Sequence, residues 1–183
     1  MGTHMWGHAH HGVVPDFITI GKPAGNGQPI GVVITRPEIL NHFTSIAPIF
    51  STFGGNNVSC AAGLAVLDVI RDEKLVQNAS STGAYLKHGL SRLMDRHELI
   101  GDVRGTGLAL GIELVHDRLT RRPAPGEAKR IIGLVRDQGV LIGIEGQFGN
   151  ILKIRPPVTL TSHQADIAIA AIDIALGQVR HAA

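Results

Sequence analysis

Apolar positions in this chain form short unbroken runs near the start and helical repeats further on. Val13–Ile20, ending in FITI, and Gly31–Thr35, GVVIT, are short and rich in β-branched residues, so they read as strands. Neither alternates with polar residues, which predicts strands buried on both faces, as in a sheet covered by helices. A short helix is expected from about Glu38 to His42, then a loop through Ser51. Beyond Asn57 the spacing becomes helical to about Arg71, with Leu64, Leu67, Val69 and Ile70 apolar. Ala61, Ala62, Gly63 and Ala65 would let another backbone come close. Asp72-Glu73-Lys74 breaks the pattern. A long helix follows to about His97, its apolar side formed by Leu75, Ala79, Leu86, Leu90, Leu93 and Met94. Val103–Leu114 reads as strand, glycine turn, strand. Glu127–Gln138 is an amphipathic helix stopped by Gly139. Val140–Ile144 and Ile151–Ile154 are strands. A last helix, Ser162 to Val179, is capped by Ser162 or Thr161, with Ile167, Ala170, Ala171, Ile174 and Leu176 on its buried face.

The order of elements predicts an α/β chain in two parts. Residues 1–77 would belong to a larger sheet domain, and 78–183 to a small α+β domain whose largely antiparallel sheet is covered on one side by helices. Composition changes little: 44% hydrophobic and 17% charged residues are ordinary for a globular chain with a core. The net charge is +2 and its positive residues are dispersed, which argues against a nucleic-acid partner. No apolar run is long enough for a membrane partner, and no secretory signal is visible at the start. A single cysteine excludes an internal disulfide and is compatible with a reducing, cytoplasmic setting.

Candidate chemistry sits where elements end. Lys22 follows the first strand and enters the turn KPAGNG. A stem emerging from a buried sheet would disfavour the ammonium form, depress the pKa and give a usable amine nucleophile. Pro23 should block helical geometry at Lys22. A surface lysine in a turn is the alternative. Phe50–Asn57, FSTFGGNN, leads into a helix whose first amides could hold an anion, with the Thr52 hydroxyl as a further donor. The alternative is a plain cap, with Asn57 or Ser59 accepting amides. Arg155 closes the strand ILKIR before Pro156-Pro157, where a fixed guanidinium could grip a carboxylate with two hydrogen bonds. A surface arginine is the alternative there. Lys153 is read as alternating to the other face, in solvent. His4, His8, His10 and His11 cluster without the spaced ligands or cysteines of a zinc site, so no metal is expected. Cys60 reads as a packed residue, and the arginines of 118–122 as a solvated face. Gly105, Gly107 and Gly111 have no following helix and make no dinucleotide fingerprint.

The segment VVPDFITIGKPAGNGQPIG (13–31) resembles the lysine segment of class III, pyridoxal-phosphate-dependent aminotransferases of fold type I. FSTFGGN and its continuation NVSCAAGLAVLDVI, VRGTGLALGIEL (103–114) and GVLIGIEGQFGNILKIRPP (139–157) resemble later blocks of that family, in order. The wording of the last is most similar to the alanine–glyoxylate and amino-alcohol phospho-lyase branch. The resemblance implies a C-terminal portion of the fold type I architecture, with pyridoxal 5'-phosphate as cofactor. It implies that Lys22 holds the cofactor as a Schiff base and that Thr52 binds its phosphate across a homodimer with a shared active site. Arg155 would contact the substrate carboxylate or its charge partner. Substrates would be an amine or amino acid and a keto acid or aldehyde. The ring-nitrogen aspartate, the main phosphate loop and the stacking aromatic would precede Met1, leaving the isolated chain inactive. A phospho-lyase of the same family is one alternative. A non-catalytic assembly module or truncated product is another.

Overall fold

The computed structural model describes residues 2–180. Two compact units divide them: Trp6–Leu75, and the chain from Val76 onward together with the residues before Trp6.

The first unit contains α1 (Gly7–His10), β1 (Phe17–Ile20), β2 (Val32–Thr35), α2 (Pro37–Ile46) and α3 (Asn57–Asp72). β1 and β2 pair antiparallel, with Phe17 opposite Thr35 and Ile20 opposite Val32. The Thr35 hydroxyl donates to the Asp16 carbonyl at 2.8 Å, closing the open end of the pair. The expected burial of both strand faces is not found: Phe17 is 56% exposed and Val33 66%. Two four-residue strands have no second layer among the described residues to cover them, and apolar runs alone do not supply one. α2 runs past His42 to Ile46, because the first residue to leave the helix is Ala47, extended at φ −140° and followed by Pro48. α3 is capped by Asn56, not by Asn57 or Ser59. Its Oδ1 accepts from the Ser59 amide at 2.9 Å, and its Nδ2 donates to the Phe53 carbonyl at 2.7 Å. Cys60 is exposed rather than packed.

The second unit contains α4 (Leu75–Arg92), β3 (Ile100–Thr106), β4 (Ala109–Asp117), β5 (Arg122–Pro123), α5 (Pro125–Asp137), β6 (Gly143–Glu145), β7 (Ile151–Ile154) and α6 (Ser162–Arg180). Its sheet has the order β3-β4-β7-β6, with β5 on the far end of β4, antiparallel at every pairing. Ile112 stands opposite both Val103 and Leu152, so one face of the sheet is continuously apolar. Leu86 and Leu90 of α4, Ile131 and Val135 of α5, and Ile172 and Leu176 of α6 join it in one core. Each such side chain, fully buried, contributes about 1.5–3 kcal/mol. Helix α4 meets the β3–β4 turn at glycine: a Cβ at Gly83 would lie 2.3 Å from the carbonyl atoms of Gly107.

Three local expectations change. The strand expected from Val140 begins only at Gly143, because the Val140 amide is used to end α5, donating to the Val135 carbonyl at 3.1 Å behind Gly139 (φ +82°). The inner face of α6 is Ala165, Ala171, Ile172, Ala175, Leu176 and Val179. Ile167 and Ile174, expected inside, are nearly half exposed, and Ala170 is also outside. The middle of α6, residues 167–172, is apolar at every position, which leaves the inner stripe there undetermined by pattern. Arg118 is exposed, as a solvated face implies, but it is not free: its guanidinium donates to the carbonyls of Met94, His97 and Ile100 at 2.6–2.9 Å. It thereby fixes the entry to β3. The Asn150 side chain, buried, donates to the Leu114 carbonyl at 2.8 Å.

Candidate functional site

Lys22 lies where β1 ends, at the first position of a 3₁₀ turn, Lys22–Gly25. Its φ is +25°, a conformation that costs a non-glycine residue energy. Pro23 does keep Lys22 out of α geometry, but it opens a 3₁₀ turn rather than staying extended. Asn26, left-handed at φ +46°, and Gly27, at φ +113°, complete the reversal. The side chain of Lys22 is exposed, so the desolvation anticipated from an all-apolar sheet is absent among these residues. A groove of about 670 Å³ runs along β1 to Lys22, walled by Trp6, His8, Phe17 and Ile18.

His8 and Trp6 were not singled out as lining residues in the sequence, since nothing in the local pattern joins them to a strand ten residues on. The His8 Nδ1 lies 3.0 Å from the Val13 carbonyl, which can only accept, so Nδ1 carries a proton. Its Nε2 is buried without a partner. His10 and His11 stack edge to face at 5.0 Å. Among the described residues no group of three metal-ligating side chains is assembled.

Thr52 is exposed in the loop before α3 and does not line the groove. The loop is shaped by the Gly54 amide donating to Ser51 Oγ at 2.9 Å and by Gly55 at φ +69°. The turn after Lys22 is tied to the first turn of α3 by Gln28 Nε2, which donates to Ser59 Oγ at 3.0 Å. That bond, between residues 31 apart, had no sequence signal. Lys22 and the loop bearing Thr52 thus both adjoin the start of α3.

Arg155 belongs to the other unit, one residue past β7, and is exposed. Leu152 and Ile154 point into the core, so Lys153 and Arg155 share the opposite face. The expectation that Lys153 turns away from Arg155 is corrected by the period of two. Lys153 pairs with Glu145 on β6. The hydrogen bond and charge of Lys153, with a smaller contribution from Arg155, hold the Glu145 carboxyl below the usual carboxylate range.

The available donors suit pyridoxal phosphate: an accessible primary amine beside an open groove, and a free-standing hydroxyl before a helix start. No helix among the described residues is long and apolar enough to cross a membrane.

Comparison with known proteins gives a consistent picture. The family described as class-III aminotransferases matches residues 2–176. Alanine–glyoxylate aminotransferase 2 homolog 2, mitochondrial, of Arabidopsis thaliana is 49% identical over 96% of this chain. A phospholyase from Arthrobacter, solved with phosphoethanolamine, superposes with a TM-score of 0.92 at 41% identity, over 96% of this chain and 42% of its own. A PLP-bound amine transaminase from an uncultivated Pseudomonas species does so with 0.87 at 33% identity, over 97% and 41%. The chain spans 36% of the Arabidopsis relative's length.

Proposed function

The chain is a member of the class-III aminotransferases, of the fold type I architecture, and from that membership we propose that it carries part of a pyridoxal-phosphate-dependent amino-group transfer site. Substrates are an amino acid or amine and a keto acid or aldehyde. Lys22 would be the covalent anchor for the cofactor, and its Nζ, once released from that bond by the substrate amine, would be the base that takes a proton from the substrate Cα. Thr52 donates its hydroxyl to the cofactor phosphate of a neighbouring subunit, in a homodimer with shared active sites. Arg155 orients the substrate through its carboxylate. When bound, the cofactor's pyridinium ring supplies an electron sink. A cytoplasmic setting is our reading of the single free cysteine, and the relative named mitochondrial makes that organelle the competing compartment. One observation carries the proposal: Lys22 stands at the end of β1, at the mouth of a groove, inside the matched family segment.

The test is a chimera in which this chain replaces the matched segment of the Arabidopsis relative. Borohydride reduction followed by peptide mapping should place the cofactor on Lys22, and Lys22→Ala should abolish visible absorbance. Reduced cofactor on Lys129 or Lys153 would overturn the assignment.

Two observations support other readings. Likeness to the phosphoethanolamine-bound phospholyase supports a phospho-lyase using the same Lys22 and Thr52, which phosphate release from an amino-alcohol phosphate by the chimera would show. The exposed apolar side chains of 6–75 suit a non-catalytic assembly module, which would leave the chimera colourless.

A further inference from the structure

The unit from Val76 onward has a cavity of its own, about 610 Å³, where the end of α4 lies beside α6. The two helices run side by side in the same direction: Tyr85 meets Asp166, Gly89 meets Ile169, and His97 meets Asp173. A Cβ at Gly89 would lie 2.3 Å from Ile169 Cδ1, so Ile169 rests directly on the α4 backbone. The Tyr85 hydroxyl donates to Asp166 Oδ1 at 2.7 Å, and that bond raises the Tyr85 pKa, which keeps the hydroxyl a donor. Arg96 and the His97 ring hold Asp173 at 2.9 and 2.6 Å. Arg92 and Asp95 line the same cavity, both exposed, yet their side chains pair neither with each other nor with any other described residue. The ends of α3 and α5 differ: there Arg71 and Arg136 each pair with the aspartate beside them at 2.8 Å.

We propose that this cavity binds the zwitterion of an apolar α-amino acid, with Arg92 gripping the carboxylate, Asp95 the ammonium, and Ile169 beneath the side chain. The site goes beyond the amino-group transfer and uses none of Lys22, Thr52 and Arg155.

The charges of the lining select the ligand. Two arginines, Arg92 and Arg96, stand against two aspartates, Asp95 and Asp166. A phosphate dianion drawn to the arginines is repelled by the aspartates, and a simple amine meets the reverse. A ligand without net charge, but with both signs, gains from each. Arg96 and Asp166 already have partners, which leaves Arg92 and Asp95 to do the gripping. They are one turn apart, roughly 5–6 Å between Cβ atoms, a span that a carboxylate and an ammonium on one carbon can bridge. The Arg92 fork offers a carboxylate two parallel hydrogen bonds. The negative end of the α4 dipole adds to the pull of Asp95 on an ammonium. Ile169 gives an apolar side chain a surface to cover. The site is open to water, so a dissociation constant on the order of a millimolar is expected.

The test uses the full chain without cofactor, with backbone and side-chain resonances followed at neutral pH. The probes are L-leucine, isocaproate (leucine without its ammonium), isoamylamine (leucine without its carboxylate) and inorganic phosphate. Leucine should give saturable shifts at the Arg92 side chain, the Gly89 amide and the Ile169 methyls. Each analogue should bind about fivefold more weakly, the factor for one unit charge at about 4 Å in water. Arg92→Met should weaken leucine by about the same factor without weakening isoamylamine. Asp95→Asn should weaken leucine likewise without weakening isocaproate. Core methyl resonances of Leu90 and Ile172 check that the variants remain folded. Absence of saturable shifts with leucine, phosphate binding as tightly as leucine, or an equal loss of all ligands in a folded variant overturns the proposal. Should a variant fail to fold, the parent still decides: equal affinity for leucine and both analogues overturns the proposal, and a preference for leucine over each upholds it.

Discussion

Ile34 on β2 and Ile112 on β4 are the same residue type in short antiparallel strands, yet Ile34 is 44% exposed and Ile112 is fully buried. The difference lies in what stands over the strand. β4 is paired on both sides, and α4, α5 and α6 lie on one face of its sheet. β2 has one partner strand, and within residues 6–75 the side chains of Val33, Phe43, Phe53 and Leu64 remain more than half exposed. Burial is a property of layers and not of apolar sequence. The unit from Val76 onward closes its own core, whereas 6–75 carries core-like residues with no core of matching size. A large exposed apolar surface of that kind marks a site of association.

Large-to-small substitutions give the sharpest contrast. Leu90→Ala removes a fully buried side chain and should cost about 2–5 kcal/mol, read from denaturant unfolding with amide exchange in β4 as the reporter. Leu64→Ala, at a side chain 63% exposed, should change stability by no more than about 0.5 kcal/mol. Equal costs would mean that 6–75 has a hidden core of its own.

Glycine-to-alanine changes should differ in sign. At Gly83 the new methyl would meet the backbone of Gly107 at 2.3 Å, and about 1–3 kcal/mol should be lost. At Gly63, inside α3, the nearest atom is the flexible tip of Ile30 at 3.5 Å. There alanine should gain about 0.5–1 kcal/mol of helix propensity. Thermal unfolding of the two variants checks both, and loss at Gly63 would place an unseen neighbour there.

Helix caps should matter less and more evenly. Thr161 Oγ1 accepts from the Gln164 amide at 3.3 Å while Gln164 Oε1 accepts from the Thr161 amide at 3.0 Å, a reciprocal box before α6. Thr161→Ala and Asn56→Ala should each cost about 1 kcal/mol, checked by exchange at the first amides of α6 and α3.

How much of this was legible in the sequence follows the same division. The stripe of Leu75, Ala79, Leu86 and Leu90 on α4, continued by Leu93 just past its end, is buried as its spacing predicts, because polar residues fill the outer face. Of the α6 stripe Ala171 and Leu176 are buried as expected, while Ile167, Ala170 and Ile174 are not, since the run of isoleucine and alanine from 167 to 172 leaves rotation to be set by packing. The antiparallel sheet covered on one side followed from the order of elements, and the helix break from the charged run Asp72-Glu73-Lys74, where Lys74 takes φ +53°. Contacts between distant residues left no local trace. Gln28 with Ser59, Arg118 with three carbonyls, and Glu145 with Lys153 join separate elements. Lys22 was legible as a strand-end residue, but its exposure was not, because exposure depends on layers outside its own segment.

The smallest effect expected is a pH dependence confined to one turn, and it again separates the two units. Asp16 meets Arg36 at 2.8 Å with both side chains more than half exposed, the setting in which ion pairs contribute little. Asp117 instead accepts from the Thr120 amide at 2.6 Å and from its hydroxyl at 2.8 Å, within the β4–β5 turn. The backbone bond, then the hydroxyl bond, lowers the Asp117 pKa from its ordinary value. A folded-state pKa below the unfolded one means that the carboxylate stabilises the turn above the unfolded value. That contribution is lost as pH falls through the lower, folded value. Exchange protection of the Thr120 amide should therefore persist through the ordinary carboxylate range and fall only below it. Asp117→Asn keeps an oxygen able to accept from Thr120 but removes the charge. Its protection at Thr120 should be weaker at neutral pH and flat on acidification. A pH-dependent loss that survives in Asp117→Asn would assign the effect to another group, and parent protection that fades already at the ordinary carboxylate value would show that the turn does not hold the charge.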